Sequence, residues 1–99
     1  MGLASRRRPQ KLAAKLKQVR TSLKLSQNEM LKKLGLEDEM HRERISKYER
    51  GILEPPLHVL YAYSQISNIY MEVFVKDELD LPIIIPSPVK FDGSKKKTE

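Results

Sequence analysis

The chain has 99 residues, of which 39 % are hydrophobic and 32 % are charged, a balance that is ordinary for one globular domain and too polar for a membrane protein. Its longest uncharged apolar run, residues 82–89, is far shorter than the ~20 residues of a bilayer-spanning helix, so no membrane partner is expected. The absence of cysteine excludes disulfides and thiolate metal sites, and it favours a cytoplasmic location.

The net charge of +6 suggests a polyanionic partner, but the basic side chains are concentrated near the two ends of the chain. Residues 1–20 carry seven basic side chains and no acidic one, and residues 95–99 carry three lysines and one glutamate. Residues 21–94 carry nine basic and twelve acidic side chains, a net charge of −3. The sequence therefore describes a slightly acidic body with basic ends.

Residues 1–8 and 92–99 are predicted to be extensions of the folded domain. The first extension has no hydrophobic periodicity, which is typical of a flexible basic arm that lies along phosphates, and a solvated tail without a ligand is the alternative. Its consecutive arginines are Arg6, Arg7 and Arg8. The second extension is a basic tail. The folded domain is expected at residues 9–75, followed by an apolar segment at residues 76–91.

The first two helices are predicted from an apolar stripe and a capping motif. Helix one starts near Pro9, a residue suited to a first helical turn. Its apolar side chains recur at the spacing of one buried helical stripe and are Leu12, Leu16, Val19 and Leu23. Ser26 and Glu29 match a capping box, in which each side chain bonds the other residue's backbone amide, so helix two begins there. Gly35 ends helix two in a left-handed conformation.

The third predicted helix has a narrow apolar stripe, Ile45 and Tyr48, and ends at Gly51. Most of its circumference is therefore exposed. A fourth helix starts after the turn at Pro55 and reaches Asn68, which is suited to a left-handed cap. A short fifth helix then closes the core.

The segment 76–91 is predicted to be extended, because its three prolines exclude a helix and its run of three isoleucines suits a short strand. Its apolar side chains are candidates for a dimer interface, and they are Leu79, Leu81, Ile83, Ile84 and Ile85. Two interpretations remain open. The segment wraps the core of its own domain or pairs with a second copy of the chain, and both can hold.

Several motifs stand in a fixed order between residues 12 and 75. They are Leu16; Arg20; Leu25, Ser26 and Gln27; Leu34 and Gly35; Ile45, Ser46, Lys47, Tyr48, Glu49, Arg50 and Gly51; and Glu54 and Pro55. Together they resemble the Cro/phage-repressor (Xre-type) helix-turn-helix family. The resemblance implies an all-α, five-helix, lambda-repressor-like domain with an extended C-terminal segment, which binds double-stranded DNA and needs no cofactor.

The resemblance also implies roles for individual residues. It places DNA base readout on the outer face of helix three, at Arg42, Glu43, Ser46 and Lys47. Arg44 is a further readout candidate, and contact with a backbone phosphate is its alternative role. These residue types suit base edges, since Arg and Lys reach guanine and Glu accepts a hydrogen bond from cytosine. It places Ser26 and Gln27, together with the amides at the start of helix two, against a DNA phosphate. A solvated charged helix face and an ordinary surface glutamine are the alternatives.

Arg20 and Glu49 match a pair that forms, in the family, a partly buried ion pair between the first helix and the end of the third. The resemblance implies that this pair orients the recognition helix. The chain departs from the family at Lys24, where glycine is common and where a left-handed turn is unfavourable for other residues.

A second departure lies between Gly35 and Ile45, a stretch that is four residues longer than usual, or about one helical turn. Either this turn bulges, or the recognition helix starts early with Asp38 as its cap. The positions of Ser46 and Lys47 do not depend on this choice, whereas those of Arg42 and Glu43 do.

The resemblance favours a sequence-specific transcriptional regulator, a homodimeric repressor that binds a palindromic operator. The alternative is the antitoxin of a toxin-antitoxin pair, which binds a toxin through the C-terminal extension and represses its own operon. A coactivator or an RNA-associated adaptor is a third hypothesis, but the tyrosines fall mostly at core spacings and offer no stacking platform. An effector is a further candidate partner.

No catalytic or metal-binding pattern is present in the sequence. His41 and His58 are the only histidines, and their spacing matches no zinc site. The four glycines form no phosphate-binding loop. We therefore expect no enzyme activity, no metal and no cofactor.

Overall fold

The structure, a computed structural model, describes residues 9–93, and within this range the chain folds into five α-helices. The helices are α1 (Leu12–Ser22), α2 (Gln27–Leu34), α3 (Arg42–Glu49), α4 (Leu57–Ser67) and α5 (Met71–Val75). This order confirms the predicted all-α fold class. The predicted basic arm, residues 1–8, and most of the basic tail, residues 94–99, lie outside the described residues.

Helix α1 begins at Leu12, later than the start predicted near Pro9, and an acidic side chain that is distant in sequence caps it. The Asp77 carboxylate accepts hydrogen bonds from the backbone N–H groups of Gln10 and Lys11, each at 2.9 Å. N–H groups at the start of a helix have no carbonyl partner within the helix. The Asp77 carboxylate therefore bonds two N–H groups just before α1, where the sequence pattern predicted the first helical turn.

The turns that flank α2 follow the predicted local chemistry. Lys24 adopts the left-handed region with φ of 60°, at a cost of about 1–2 kcal/mol for a residue with a side chain. The capping box is present, since Ser26 Oγ accepts from the Glu29 N–H at 3.1 Å and Glu29 Oε1 accepts from the Ser26 N–H at 2.8 Å. Gly35, with φ of 74°, ends the helix.

The four-residue insertion forms a bulging turn, and Asp38 is not the cap of the recognition helix. Leu36 and Met40, on either side of the turn, are both buried. The Leu36 carbonyl accepts from the Met40 N–H at 3.0 Å, which closes the turn. Helix α3 then begins at Arg42, with His41 as its N-cap residue. The chain bulges because two apolar side chains must reach the core from one short turn.

A side-chain hydrogen bond holds the acidic turn at residues 37–39 toward α4. The Glu39 carboxylate contacts His58 Nε2 in the first turn of α4. The side chains of residues 37–39 are otherwise exposed. The turn is thus fixed at both ends, by buried apolar side chains and by this surface contact.

The core lies where all five helices meet. Its fully buried hydrophobic side chains are Leu16, Val19, Met30, Ile45, Tyr48, Val59, Tyr63, Ile69, Val73 and Phe74. Tyr63 and Phe74 pack edge to face, with ring centroids 6.5 Å apart, and burial raises the pKa of the Tyr63 hydroxyl. At about 25 cal/mol per Å² of apolar surface, burial of such side chains supplies the main stabilising free energy.

The segment 76–91 does not form the predicted strand at its isoleucines. Residues 83–86 bend, and the only bridge in residues 9–93 pairs Ile69 with Phe91. The prolines that flank the isoleucines lack the N–H groups that a strand ladder needs. Ile85 is buried in the core, whereas Ile83 is fully exposed. The segment therefore covers its own domain and still leaves apolar surface in solvent.

Candidate nucleic-acid interface

Helix α3 has one buried face and one exposed face. Ile45 and Tyr48 anchor it in the core, with 0 % and 1 % of their surface exposed. The candidate readout residues lie on the rest of the helix, and Arg42, Glu43, Arg44 and Lys47 are exposed while Ser46 is half-buried. Because the helix begins at Arg42, three of these residues, Arg42, Glu43 and Arg44, stand in its first turn. The structure thus brings all five together on one short helix.

The Ser46 hydroxyl already has a partner on the same helix face. Arg50 Nε donates to Ser46 Oγ at 3.0 Å, which leaves the hydroxyl hydrogen free to be donated to another acceptor. Lys47 projects from the adjacent position with an exposed side chain. The exposed face of α3 therefore offers several hydrogen-bond donors, and Glu43 is its one exposed carboxylate.

A buried ion pair fixes α3 against α1. Arg20 Nε donates to Glu49 Oε2 at 2.7 Å, and Arg20 Nη2 donates to Glu49 Oε1 at 3.0 Å. The Glu49 side chain is only 3 % exposed, and Arg20 Nη1 also donates to the Leu25 carbonyl at 2.9 Å. The bonded carboxylate raises the pKa of Arg20. A bidentate pair of this kind has one favoured geometry, so it sets the direction of the end of α3.

This arrangement of helices agrees with a match between the chain and a known protein family. A family model described as helix-turn-helix matches residues 16–74, a stretch that runs from within α1 into α5. The chain belongs to the Cro/C1-type helix-turn-helix family. It is a DNA-binding regulator of the Cro/C1 type. No curated protein and no solved structure matches the chain significantly.

In this helix-turn-helix regulator, α2 and α3 are the two helices of the motif, and Gln27 connects them. Gln27 Nε2 donates to Glu49 Oε1 at 3.2 Å, so the first residue of α2 joins the ion pair that holds α3. The side chain is half-buried. Only the second amide hydrogen and the backbone N–H remain as donors toward a phosphate. The sequence did not predict this link between Gln27 and Glu49.

The start of α2 also carries a negative charge beside the predicted phosphate site. Glu29 is bonded to the backbone N–H of Ser26, within the first turn of the helix. A carboxylate there is stabilised by the helix dipole, but it opposes a second anion at the same terminus. Ser26 is exposed, and its hydroxyl hydrogen is free because the oxygen acts as the acceptor from Glu29. The predicted phosphate contact would therefore face a carboxylate in the same helical turn, and one of its predicted donors, an amide hydrogen of Gln27, is already donated to Glu49.

A buried lysine, which sequence reasoning missed, ties α1 to the C-terminal segment. Lys15 is 5 % exposed, and its Nζ donates to the carbonyls of Val73, Lys76 and Leu79 at 2.7, 2.9 and 2.7 Å. Burial lowers the pKa of Lys15. A signal was present, since Lys15 lies three residues after Leu12 on the apolar stripe. Two of the seven basic side chains of residues 1–20, Lys15 and Arg20, thus have structural roles.

Residues 9–93 contain neither a cluster of metal-ligating side chains nor a membrane-spanning helix. No group of three or more His, Asp or Glu side chains there could hold a metal ion. No helix of that range has the length and apolar character needed to cross a membrane.

Proposed function

We propose that the protein is a sequence-specific transcriptional repressor that binds a palindromic operator as a homodimer. The observation that carries the proposal is the charge of the exposed face of α3. Arg42, Arg44 and Lys47 are exposed there against a single exposed carboxylate, Glu43. Residues 21–94, which include α3, have a net charge of −3, so the exposed face of α3 is a basic strip on an acidic body.

The roles of the α3 residues follow from their donors and acceptors. Lys47 and the two arginines suit guanine O6 and N7, whereas Glu43 suits cytosine N4. Ser46 donates to either kind of base acceptor. We assign Ser26 and Gln27 to a backbone phosphate, together with Arg6, Arg7 and Arg8 of the N-terminal arm.

The test compares two lysine substitutions in binding to duplex DNA. Lys47→Ala is expected to weaken binding to the selected operator by about 1–3 kcal/mol, or roughly 5- to 150-fold, and to relax the preference for one base pair. Lys17→Ala removes the same charge from an exposed side chain on α1, outside α2 and α3, and is the matched control. Equal losses for both variants on operator and scrambled DNA would contradict base readout by Lys47.

We assign dimerisation to the exposed part of the segment 76–91. Of the five predicted candidates, Ile83 and Ile84 are 101 % and 68 % exposed, and Val89 nearby is 72 % exposed. Ile85 belongs to the core, so it is not available to a second copy. A symmetric contact through these side chains would remove them from water and set the spacing of two recognition helices.

The antitoxin hypothesis has one observation in its favour. A groove of ≈ 510 Å³ follows the C-terminal segment, and its lining includes apolar Leu81 and Phe91 and acidic Glu78 and Asp80. A protein partner such as a toxin could occupy it. A toxin-like reading frame beside the gene would favour this function, and co-purification of its product with the full chain would test it.

A further inference from the structure

A second groove opens where the N-terminal arm leaves the domain. It has a volume of ≈ 650 Å³ and lies between the residues before α1, the start of α4 and the end of α5. Its apolar lining includes Leu57 and Val75, which are 74 % and 41 % exposed. The volume falls within the range of about 300–1,000 Å³ that is typical of ligand pockets. Several side chains therefore fit in it.

The charge of this groove is opposite to that of the arm. Three carboxylates line it, those of Glu54, Asp77 and Glu78, against one cation, Lys76. Residues 1–8 contain three arginines and no acidic side chain, together with apolar Met1 and Leu3. An apolar groove edged by carboxylates suits an arginine-rich segment that also carries apolar side chains.

The position of the groove favours the chain's own arm over a separate ligand. Pro9, the residue to which the arm is attached, lines the groove. Eight residues reach at most about 26–29 Å when extended, so the arm can cover the whole groove. A tether this short gives an effective concentration of the order of millimolar, so weak contacts are sufficient for substantial occupancy.

We propose that residues 1–8 dock in this groove of the same chain when no DNA is bound. The arginines then face Glu54, Asp77 and Glu78, and the apolar side chains of the arm cover Leu57 and Val75. Docking withholds the arm from phosphates, so DNA and the groove compete for the same three arginines. The groove therefore lowers the affinity of the protein for non-specific DNA.

The direct test measures the position of the arm in the free full-length chain. The protein has no cysteine, so Ser5→Cys carries a single nitroxide label. The amide signals of Leu57 and Val75 are expected to broaden, and the paired substitution Glu54→Gln and Glu78→Gln is expected to reduce this broadening several-fold. The matched control, Glu37→Gln with Asp38→Asn, removes two exposed carboxylates that do not line the groove and should leave the broadening unchanged.

Two results of that test would overturn the proposal. One is broadening that the groove substitutions do not change, which would mean that the arm passes near these residues without docking. The other is broadening that appears only when labelled chains are mixed with an isotope-enriched, unlabelled chain, because the arm would then dock on a second copy. Neither result depends on DNA, so this measurement can fail while the proposed function stands.

The second test uses DNA and rests on the proposed function. Releasing an arm that is docked for half to nine-tenths of the time should tighten binding to random duplex DNA by about two- to ten-fold. The groove pair Glu54→Gln and Glu78→Gln should show this gain relative to the control pair. The gain should disappear when Arg6, Arg7 and Arg8 are replaced by alanine. An equal gain with and without the arginines would contradict docking.

Discussion

The ion pair between α1 and α3 allows a quantitative test of what holds the recognition helix. Arg20→Met keeps the aliphatic stem and removes the guanidinium. The substitution deletes both bonds to Glu49 and the bond to the Leu25 carbonyl. The Glu49 side chain is 3 % exposed. Of its present hydrogen bonds, its carboxylate then keeps only the one from Gln27 Nε2, at 3.2 Å.

The expected loss of stability follows from this geometry. Removing one partner of a buried ion pair costs about 3–5 kcal/mol, because the other charge stays buried and unpaired. A domain of this size is stable by about 5–15 kcal/mol, so the variant loses a large part of its margin. With a urea slope of about 2 kcal/mol per M, the midpoint of unfolding should fall by about 1.5–2.5 M.

The assay is urea unfolding followed by circular dichroism, with two companion variants. Arg50→Met removes an exposed arginine that bonds only within α3, and its free energy of unfolding should change by less than about 1 kcal/mol. The double variant Arg20→Met with Glu49→Met removes both charges and should regain most of the stability. If Arg20→Met lost no more than Arg50→Met, the pair would not hold α3.

Three other predictions concern the C-terminal segment and its anchors. Lys15→Met should destabilise by about 1–3 kcal/mol in thermal melts, because it leaves the buried Val73 carbonyl without its donor, whereas exposed Lys17→Met should have little effect. The bonded N–H groups lower the pKa of Asp77 below its usual 3.8, so its stabilisation is complete above that pH and is lost as the pH falls through the folded-state pKa. Melts between about pH 2 and pH 6 should therefore show the difference between wild type and Asp77→Asn shrinking in acid, and a constant difference would contradict this role. Ile83→Ser with Ile84→Ser should give monomers in sedimentation equilibrium, and a variant that remained dimeric would rule out this interface.

Features that depend on neighbours in sequence could be predicted. The capping box of Ser26 and Glu29 and the left-handed stop at Gly35 each involve a few consecutive residues whose chemistry decides the backbone. The same holds for the left-handed cap at Asn68, where φ is 60°. Local patterns therefore defined the helix order and the helix-turn-helix family without a structure.

Features that depend on distant contacts could not be predicted from the residues alone. Lys15 and Val73 are 58 positions apart, and Asp77 caps a helix that starts 65 positions earlier in the chain, so neither contact leaves a local pattern. The structure of the isoleucines in the segment 76–91 also depends on contacts that the local sequence does not reveal. Their composition favours a strand, but no partner strand lies beside them within residues 9–93, and only Ile85 reaches the core.

The insertion before α3 shows how tertiary packing decides between local alternatives. Both a bulge and an early helix start at Asp38 were compatible with the sequence. Burial of Leu36 and Met40 requires the chain to turn back between them, and α3 consequently starts at Arg42. The first turn of α3 thus presents Arg42 and Glu43 on the same helix as Ser46, although the insertion left their positions undetermined in the sequence.

Selection of bound sequences from random duplex DNA by the full chain, at a fixed salt concentration, tests the central claim most directly. A dimer that reads DNA through α3 should enrich a two-fold symmetric motif whose half-sites lie about 10–10.5 base pairs apart, or a multiple of that spacing. The substitution Lys47→Ala should relax the motif at one position in each half-site. Binding that enriches no sequence, or a motif that Lys47→Ala leaves unchanged, would contradict the assignment of α3 as the helix that reads the operator.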